Sequence, residues 1–204
     1  MGSVIPLKKE IDNSYIELKN LIGNKLDGVT QQIKYKLASE INLIHKMTSY
    51  HLESGGKRIR PLLTLGSAKL CGYINGGRDI NLAACIELIH NATLLHDDVI
   101  DNSDLRRGIK TSNTIWGNQS SILVGDYLLS RCFEMMVEDG SQEILKLLSS
   151  TSSRIAQGEI LQLEYKGEID ILEETYFDII NAKTASLFAA ATSCLLYTSD
   201  AADE

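Results

Sequence analysis

Asp97, Asp98 and Asp101 crowd together within Glu87 to Gly108, a stretch that reads ELIHNATLLHDDVIDNSDLRRG. Residues four apart share a helix face, so Asp97 and Asp101 point the same way, with Asp98 beside them and His90 two turns earlier. Carboxylates this close repel unless protonated or bridged by a cation. Mg²⁺, a hard ion that takes oxygen ligands and often binds jointly with substrate phosphates, suits such a patch. Arg106 and Arg107 follow at once, and guanidinium groups fork onto phosphate oxygens. Carboxylates for a metal followed by arginines for phosphate describe a clamp for a metal-bound diphosphate rather than a solvated helix end. The mostly apolar run from His90 to Leu95 leads into the acids as a pocket wall would.

A second basic stretch, Ser54-Gly55-Gly56-Lys57-Arg58-Ile59-Arg60-Pro61, lies upstream. Two glycines allow a tight turn, and Pro61 suits the first turn of a helix continuing through Leu62, Leu63, Leu65 and Leu70. The N–H groups and positive dipole end of that helix, with Lys57 and Arg60, make an anion site of diphosphate size. The GxxxxGK[ST] phosphate loop is absent, which argues against an ordinary nucleoside triphosphatase. No Ser-His or Cys-His arrangement offers a side-chain nucleophile. His45 and His51 have no partner at ligand spacing and read as surface or satisfied core histidines.

The scaffold that must position these groups reads as helical throughout. Leu7, Ile11, Tyr15, Leu18 and Ile22 recur at three to four, and Val29, Ile33, Leu37, Ile41, Ile44 and Met47 repeat the pattern. This predicts two amphipathic helices, broken at Gly23 and Gly28. Gly72 to Asp79 is a turn-rich connection, and Ile80 to Ile100 is a long, mainly apolar helix of the kind found at the centre of a bundle. Asn102 to Asn113 is polar and predicts a loop. Helices follow at Ser120 to Glu138 and Ser141 to Tyr165, separated by Asp139-Gly140. On the second of these, Leu148, Ser152, Ile155, Glu159 and Gln162 share a face that runs from dry to wet. Lys166-Gly167 closes it, Asp170 with Glu173 resembles a capping box, and a last helix carries Phe177, Ile180, Lys183, Thr184 and Phe188. No strand signal competes, and there are no internal repeats.

At 204 residues with a formal net charge of -7 and no basic stripe, the chain reads as one domain with nucleic acid an unsuitable partner. No signal peptide or membrane-spanning run is present, which predicts a cytoplasmic protein. Cys71, Cys85, Cys132 and Cys194 form no CxxC pair and read as small buried hydrophobes rather than a disulfide framework.

DDVID followed by Arg106-Arg107, GGKRIRP upstream, His90 seven before Asp97, the GEILQ run and Lys183-Thr184 together resemble the trans-prenyltransferase family, the polyprenyl diphosphate synthases. The likeness spans Met1 to about Ser193 and is greatest to bacterial long-chain members, which make quinone side chains. It implies an all-α isoprenoid-synthase-type bundle of antiparallel helices around a central cavity, a homodimer, and extension of an allylic prenyl diphosphate with isopentenyl diphosphate. Carried over residue by residue, Asp97 and Asp101 would bind Mg²⁺ on the allylic diphosphate, with Asp98 supporting. Arg106, Lys183 and Thr184 would hold that same diphosphate, and Lys57, Arg60, His90 and Arg107 the isopentenyl diphosphate. Gln162, in the GEILQ run, joins the substrate-binding set. Metal and cations would then stabilise the departing diphosphate, leaving an allylic cation for the second substrate's double bond to attack.

Three further expectations follow from the resemblance. Ala92 and Thr93, a turn or so before Asp97, are small where short-product members tend to carry a large residue, and DDxxD lacks the two-residue insertion of many bacterial short-chain members. Both features point to a long-chain product, with Leu148 as candidate floor of the tunnel. The family's second aspartate-rich motif is absent, which implies an inactive N-terminal portion over 1–193. Cys194 to Glu204, CLLYTSDAADE, reads as the translation of a sequencing-library adapter rather than native protein. The alternative to an enzyme is a non-catalytic small subunit of a heteromeric prenyl synthase, although such a subunit has no need of the intact first motif and arginine pair.

Overall fold

The structure, a computed structural model, describes residues 7–53, 55–73 and 76–195. Its elements run α1 (Leu7–Ile22), α2 (Lys25–Lys36), α3 (Asn42–Glu53), α4 (Ile59–Leu70), α5 (Arg78–Ile100), β1 (Leu105–Arg106), β2 (Ile109–Lys110), α6 (Ser112–Trp116), α7 (Asn118–Asp139), α8 (Gln142–Glu164), α9 (Glu173–Ile180), a π-helical turn (Asn181–Ala185) and α10 (Ser186–Ser193). The sequence pattern places the long helix at the centre, and α5 is there: every residue from Leu82 to Ile89, Glu87 included, is buried, so the helix is covered all round rather than on one stripe. It packs against α2, α4, α7 and α10.

Two buried carboxylates pin this arrangement at the start of α5. Asp79, 1% exposed, meets Lys25 of α2 at 2.5 Å, and the Arg78 guanidinium forks onto Asp139 at the end of α7 with both contacts at 2.7 Å. A carboxylate removed from water persists only when paired, so these contacts fix which helices lie beside α5. Cys85, Cys132 and Cys194 are buried free thiols and Cys71 is partly buried. No described helix is long and apolar enough to cross a membrane.

Several boundaries differ from the sequence reading. The periodic run from Val29 to Met47 is two helices, because α2 ends at Lys36 and the Ser39 hydroxyl accepts a hydrogen bond from the Ile41 amide in the connection. Gly28 lies inside α2 rather than at a break. A Cβ there would come 3.1 Å from Ile80 Cδ1, so this glycine serves close approach of α2 to α5. The polar stretch after α5 contains a small antiparallel hairpin, β1 with β2, where a loop is expected. Leu172, not Asp170, is the N-cap of α9, and it makes no side-chain cap hydrogen bond. Cys194 and Leu195 are fully buried in the core, and the remainder of the suspected tail lies outside the described residues.

Candidate active site

Two clusters of charge adjoin α5, and the elements above deliver their members in different ways. The first is a cavity of about 500 Å³ whose wall includes Lys57, Arg58, Arg60, Arg106 and Arg107. Gly55 and Gly56, with φ of 80° and 157°, turn the chain before α4, and Arg58 takes a left-handed φ of 46° as its N-cap. The Arg58 guanidinium stabilises that turn by donating to Thr30 Oγ1 and, at 3.5 Å, to the Leu52 carbonyl. The Tyr15 hydroxyl donates to the Lys57 carbonyl at 3.0 Å, leaving the Lys57 amine 5.9 Å from the Tyr15 ring.

Arg106 and Arg107 arrive from the other side on the hairpin. Arg107 and Gly108 have φ of 54° and 81°, the doubly positive pair that a two-residue turn between right-twisted strands requires. The Arg107 guanidinium then lies against Gly56, where a Cβ would stand 2.6 Å from Nη1. Glycine at that position lets hairpin and α4 loop meet.

The middle of α5 supplies the cavity's less charged groups. Burial, then Arg60 and His51, push His90 down to about 3, and burial likewise lowers His51 to about 4 against the pull of Asp98. Both imidazoles are therefore neutral near pH 7 and act as hydrogen-bonding groups. Glu87, 8% exposed, is raised by burial and lowered in part by Arg58 and Arg60. With five cations against one buried carboxylate, the cavity is built to attract an anion.

The second cluster lies at the end of α5. Asp97 is drawn up to about 6, first by burial and next by Glu159, while Lys183 works against the rise. The Lys183 amine donates to Glu159 Oε2 at 2.7 Å and stands 3.8 Å from Asp97 Oδ2. Gly158 makes this possible: a Cβ there would sit 2.8 Å from both Ala182 Cβ and the Lys183 amide nitrogen, so α8 and the π-helical turn touch backbone to backbone. Asp101 is exposed at the C-cap of α5.

The expectation of three carboxylates on one patch does not hold. Asp98 is 2% exposed and turned away, its Oδ1 accepting from Arg106 Nε at 2.9 Å and Nη2 at 2.7 Å. Asp98 is about 100° around the helix from Asp97, and its pairing with Arg106, rather than its distance from Asp101, is what takes it out of the patch. Among the described residues no group of three His, Cys, Asp or Glu side chains is placed to hold a metal on its own. Two carboxylates with open oxygens still fit Mg²⁺, which commonly takes one or two protein carboxylates and completes its shell with water and substrate phosphates. Asp97, with its raised pKa beside Glu159 and Asp101, is a carboxylate in need of a counter-charge.

The other expected site residues fall unevenly. Lys57, Arg60, His90 and Arg107 come together on one cavity, and Arg106 joins them there through Asp98. Thr184 and Gln162 are exposed, Gln162 one turn beyond Glu159. Ala92 and Leu148 are fully buried in the core, whereas Thr93 keeps some exposure and donates to the His90 carbonyl at 2.7 Å. Of the expected α8 face, Leu148, Ile155, Glu159 and Gln162 grade from buried to exposed, but Ser152 is already partly exposed between the first two. His51, expected to be a lone structural histidine, lies on the cavity wall instead, as do Asn91 and Phe188. The residue before His51, Tyr50, is held against the hairpin: its hydroxyl donates to the Lys110 carbonyl at 2.7 Å and its ring meets Trp116 edge-on at 5.2 Å. That contact needs the docked hairpin, and no spacing rule signals it.

Known proteins resemble the chain in both sequence and fold. The sequence profile described as polyprenyl synthetase matches residues 41–204. The octaprenyl diphosphate synthase of Escherichia coli (strain K12) is 44% identical over 178 residues, covering 87% of this chain and 55% of that protein. The all-trans-nonaprenyl-diphosphate synthase (geranyl-diphosphate specific) of Rhodobacter capsulatus is 43% identical over 171 residues, covering 84% and 53%. Among solved structures, a polyprenyl synthase from Caulobacter crescentus CB15 complexed with calcium and isoprenyl diphosphate superposes with a TM-score of 0.88 at 41% identity, over 92% of this chain and 58% of that one. The chain thus spans about half the length of the curated relatives it matches.

Proposed function

The chain belongs to the polyprenyl synthetase family, and from that premise we propose that it carries the two diphosphate sites of a prenyltransferase that makes a long all-trans polyprenyl diphosphate, for use in quinone side chains. Isopentenyl diphosphate would occupy the cationic cavity, held by Lys57, Arg60 and Arg107 as charged donors and by His90 as a neutral one. The allylic diphosphate would sit at the end of α5, where Asp97 and Asp101 would hold Mg²⁺ and Lys183 with Thr184 would complete the clamp. When bound, the metal supplies the positive charge that stabilises a departing diphosphate.

Arg106 belongs to the seam between the two sites. Its pairing with buried Asp98 orients the guanidinium, so Asp98 serves the arginine rather than the metal. Lys183, already within reach of Asp97 and Glu159, would be free to turn to a diphosphate once a divalent ion neutralises those carboxylates. Thr93 and Ala92, on the side of α5 that precedes Asp97, and Leu148 on α8 remain the proposed determinants of product length. The reading includes work in the cytoplasm and a homodimer, for which α7 offers an exposed apolar face of Ile122, Leu123, Phe133 and Val137.

One observation carries the proposal: a cavity lined by five cations beside a separate, under-neutralised carboxylate pair on the same helix. Two diphosphates, one needing metal and one not, fit that pairing. Calorimetric titration of isopentenyl diphosphate and, separately, of an allylic diphosphate analogue into the chain tests it. Saturable binding of the first without Mg²⁺ and of the second only with Mg²⁺ is the expected result. Absence of saturable binding for both, with the chain folded by circular dichroism, would reject the reading.

A further inference from the structure

The cavity's arginines are each held by a polar partner or by close packing, except one. Arg58 donates to Thr30 and Leu52, Arg106 to Asp98, and Arg107 rests against Gly56. The Arg60 guanidinium makes no hydrogen bond or ion pair among the described residues, and its buried Nε lacks a partner. Burial lowers its pKa, with Glu87 pulling the other way from a distance. What meets its guanidinium is the ring of Phe188 from α10, whose centroid is 4.3 Å from Cζ.

We infer that Phe188 is a positioning residue for the anion cavity: its ring face holds the Arg60 guanidinium in the plane from which it engages a diphosphate. The inference rests on the diphosphate reading of the cavity and adds a residue that the charge pattern does not point to. An arginine stem has several free torsions, and a guanidinium aimed into open solvent spends little time in any one orientation. A stacked aromatic face removes that freedom without consuming a single N–H donor, because the attraction is to the ring quadrupole and not to a lone pair. The four N–H donors on the two terminal nitrogens of Arg60 then remain for phosphate oxygens, which an acidic partner in place of the ring would not allow.

The same geometry links the two clusters. Phe188 follows the π-helical turn that brings Lys183 to Glu159 and Asp97, so one continuous segment reaches the carboxylates with Lys183 and Arg60 with Phe188. Single π-type turns commonly occur where a helix must change which residues face a site. The register of that turn is what allows both contacts.

The test uses inorganic diphosphate as probe, with dissociation constants from calorimetry and folding checked by thermal melts. Phe188→Leu keeps an apolar side chain but has no π face, and is expected to weaken binding about five- to tenfold. Phe188→Tyr restores the face and is expected to bind within about twofold of the parent chain. In an Arg60→Ala background, Phe188→Leu should produce no further loss, since the ring then has nothing to position. Should Phe188→Leu fail to fold, Phe188→Met, with its flexible thioether, takes its place in the same cycle. Unchanged affinity in the leucine or methionine variant while Arg60→Ala weakens binding overturns the inference and leaves the cavity reading intact. Equal losses in both backgrounds also overturn it, because the ring would then act through the general packing of α10. Failure of the parent chain to bind diphosphate, or equal binding by Arg60→Ala, overturns the cavity reading itself.

Discussion

The cavity and the carboxylate cluster share α5 but stand in opposite states of charge. In the cavity, five cations surround a single buried carboxylate, and several of the guanidinium groups are already fixed by hydrogen bonds or packing. At the end of the helix one lysine amine serves both Glu159 and Asp97, and among the described residues Asp101 makes no ion pair. Arginine suits the first setting because its planar fork can be locked in advance, and lysine the second because its point charge can swing between partners. On the proposed reading, the cavity would take an anion alone, whereas the cluster would need a cation before it could accept one.

Removing divalent metal is the sharpest way to separate the two regions. With EDTA present, affinity for an allylic diphosphate analogue should fall at least about a hundredfold, while isopentenyl diphosphate should bind within about threefold of its value in Mg²⁺. Competition calorimetry measures both. Parallel losses would mean that the clusters are one metal-dependent site and would erase the contrast.

The contrast also runs between neighbouring aspartates. Asp98→Asn leaves Arg106 facing a neutral amide at a position only 3% exposed, and should destabilise the fold by about 2–3 kcal/mol, somewhat under the full value for a buried pair because Arg106 is itself 34% exposed. Asp101→Asn, at an exposed C-cap, should stay within about 0.5 kcal/mol. Urea denaturation reads both values. A similar, small change for the two would place Asp98 back among the solvent-facing ligands.

Much of this was legible before any coordinates. The mainly apolar run of α5 marks a central helix, and the family resemblance, not any spacing, groups Lys57, Arg60, His90 and Arg107, which do meet on one wall. The failures have physical causes. Asp98 was grouped by proximity in sequence, although a single helical step turns it away from Asp97. The hairpin strands are two residues each, too short for any alternation to register. The run from Val29 to Met47 keeps its periodicity across a real break, by coincidence of register. Gly28 reads as a helix break yet serves interhelix contact, as Gly158 does inside α8, and only the neighbours, Ile80 and Ala182, reveal it. His51 and Phe188 reach the cavity through tertiary docking of the hairpin and of α10.

Gly158 offers a smaller perturbation confined to the carboxylate side. Gly158→Ala puts a methyl group 2.8 Å from the Lys183 amide nitrogen, so α8 and the π-helical turn must part. Overpacking of this kind should cost about 1–2 kcal/mol, offset in part by alanine's better helix propensity. The change should weaken Mg²⁺-dependent allylic binding several-fold and leave isopentenyl binding alone. Calorimetry on the variant decides it. Weakened binding of isopentenyl diphosphate alone would show that the turn supports the cavity more than the cluster.

The smallest expected effect is on the pH dependence of stability, where the two regions lean in opposite directions. His51 and His90 keep pKa values of about 4 and about 3, below the ordinary 6.5 of the unfolded chain. As pH falls below 6.5 the unfolded chain takes up protons that the folded cavity refuses, so stability present above 6.5 is lost progressively toward pH 4 and 3. Asp97, raised to about 6, does the reverse: the folded state takes up its proton first, and stability rises as pH falls from 6 toward 3.8. A plain pH profile therefore mixes opposing slopes. Comparing the parent chain with His90→Gln isolates the histidine, since glutamine keeps a hydrogen-bonding group but does not titrate. Between pH 6.5 and 5.5 the parent should lose about 1 kcal/mol more than the variant, somewhat under the ~1.4 kcal/mol per unit of a fully refused proton because the unfolded histidine is only half protonated at 6.5. Urea unfolding at both pH values measures the difference. Identical losses in the two proteins would mean that His90 protonates as readily in the folded cavity as in water, so that neither its burial nor the neighbouring Arg60 holds it neutral, and the contrast with Asp97 would fail.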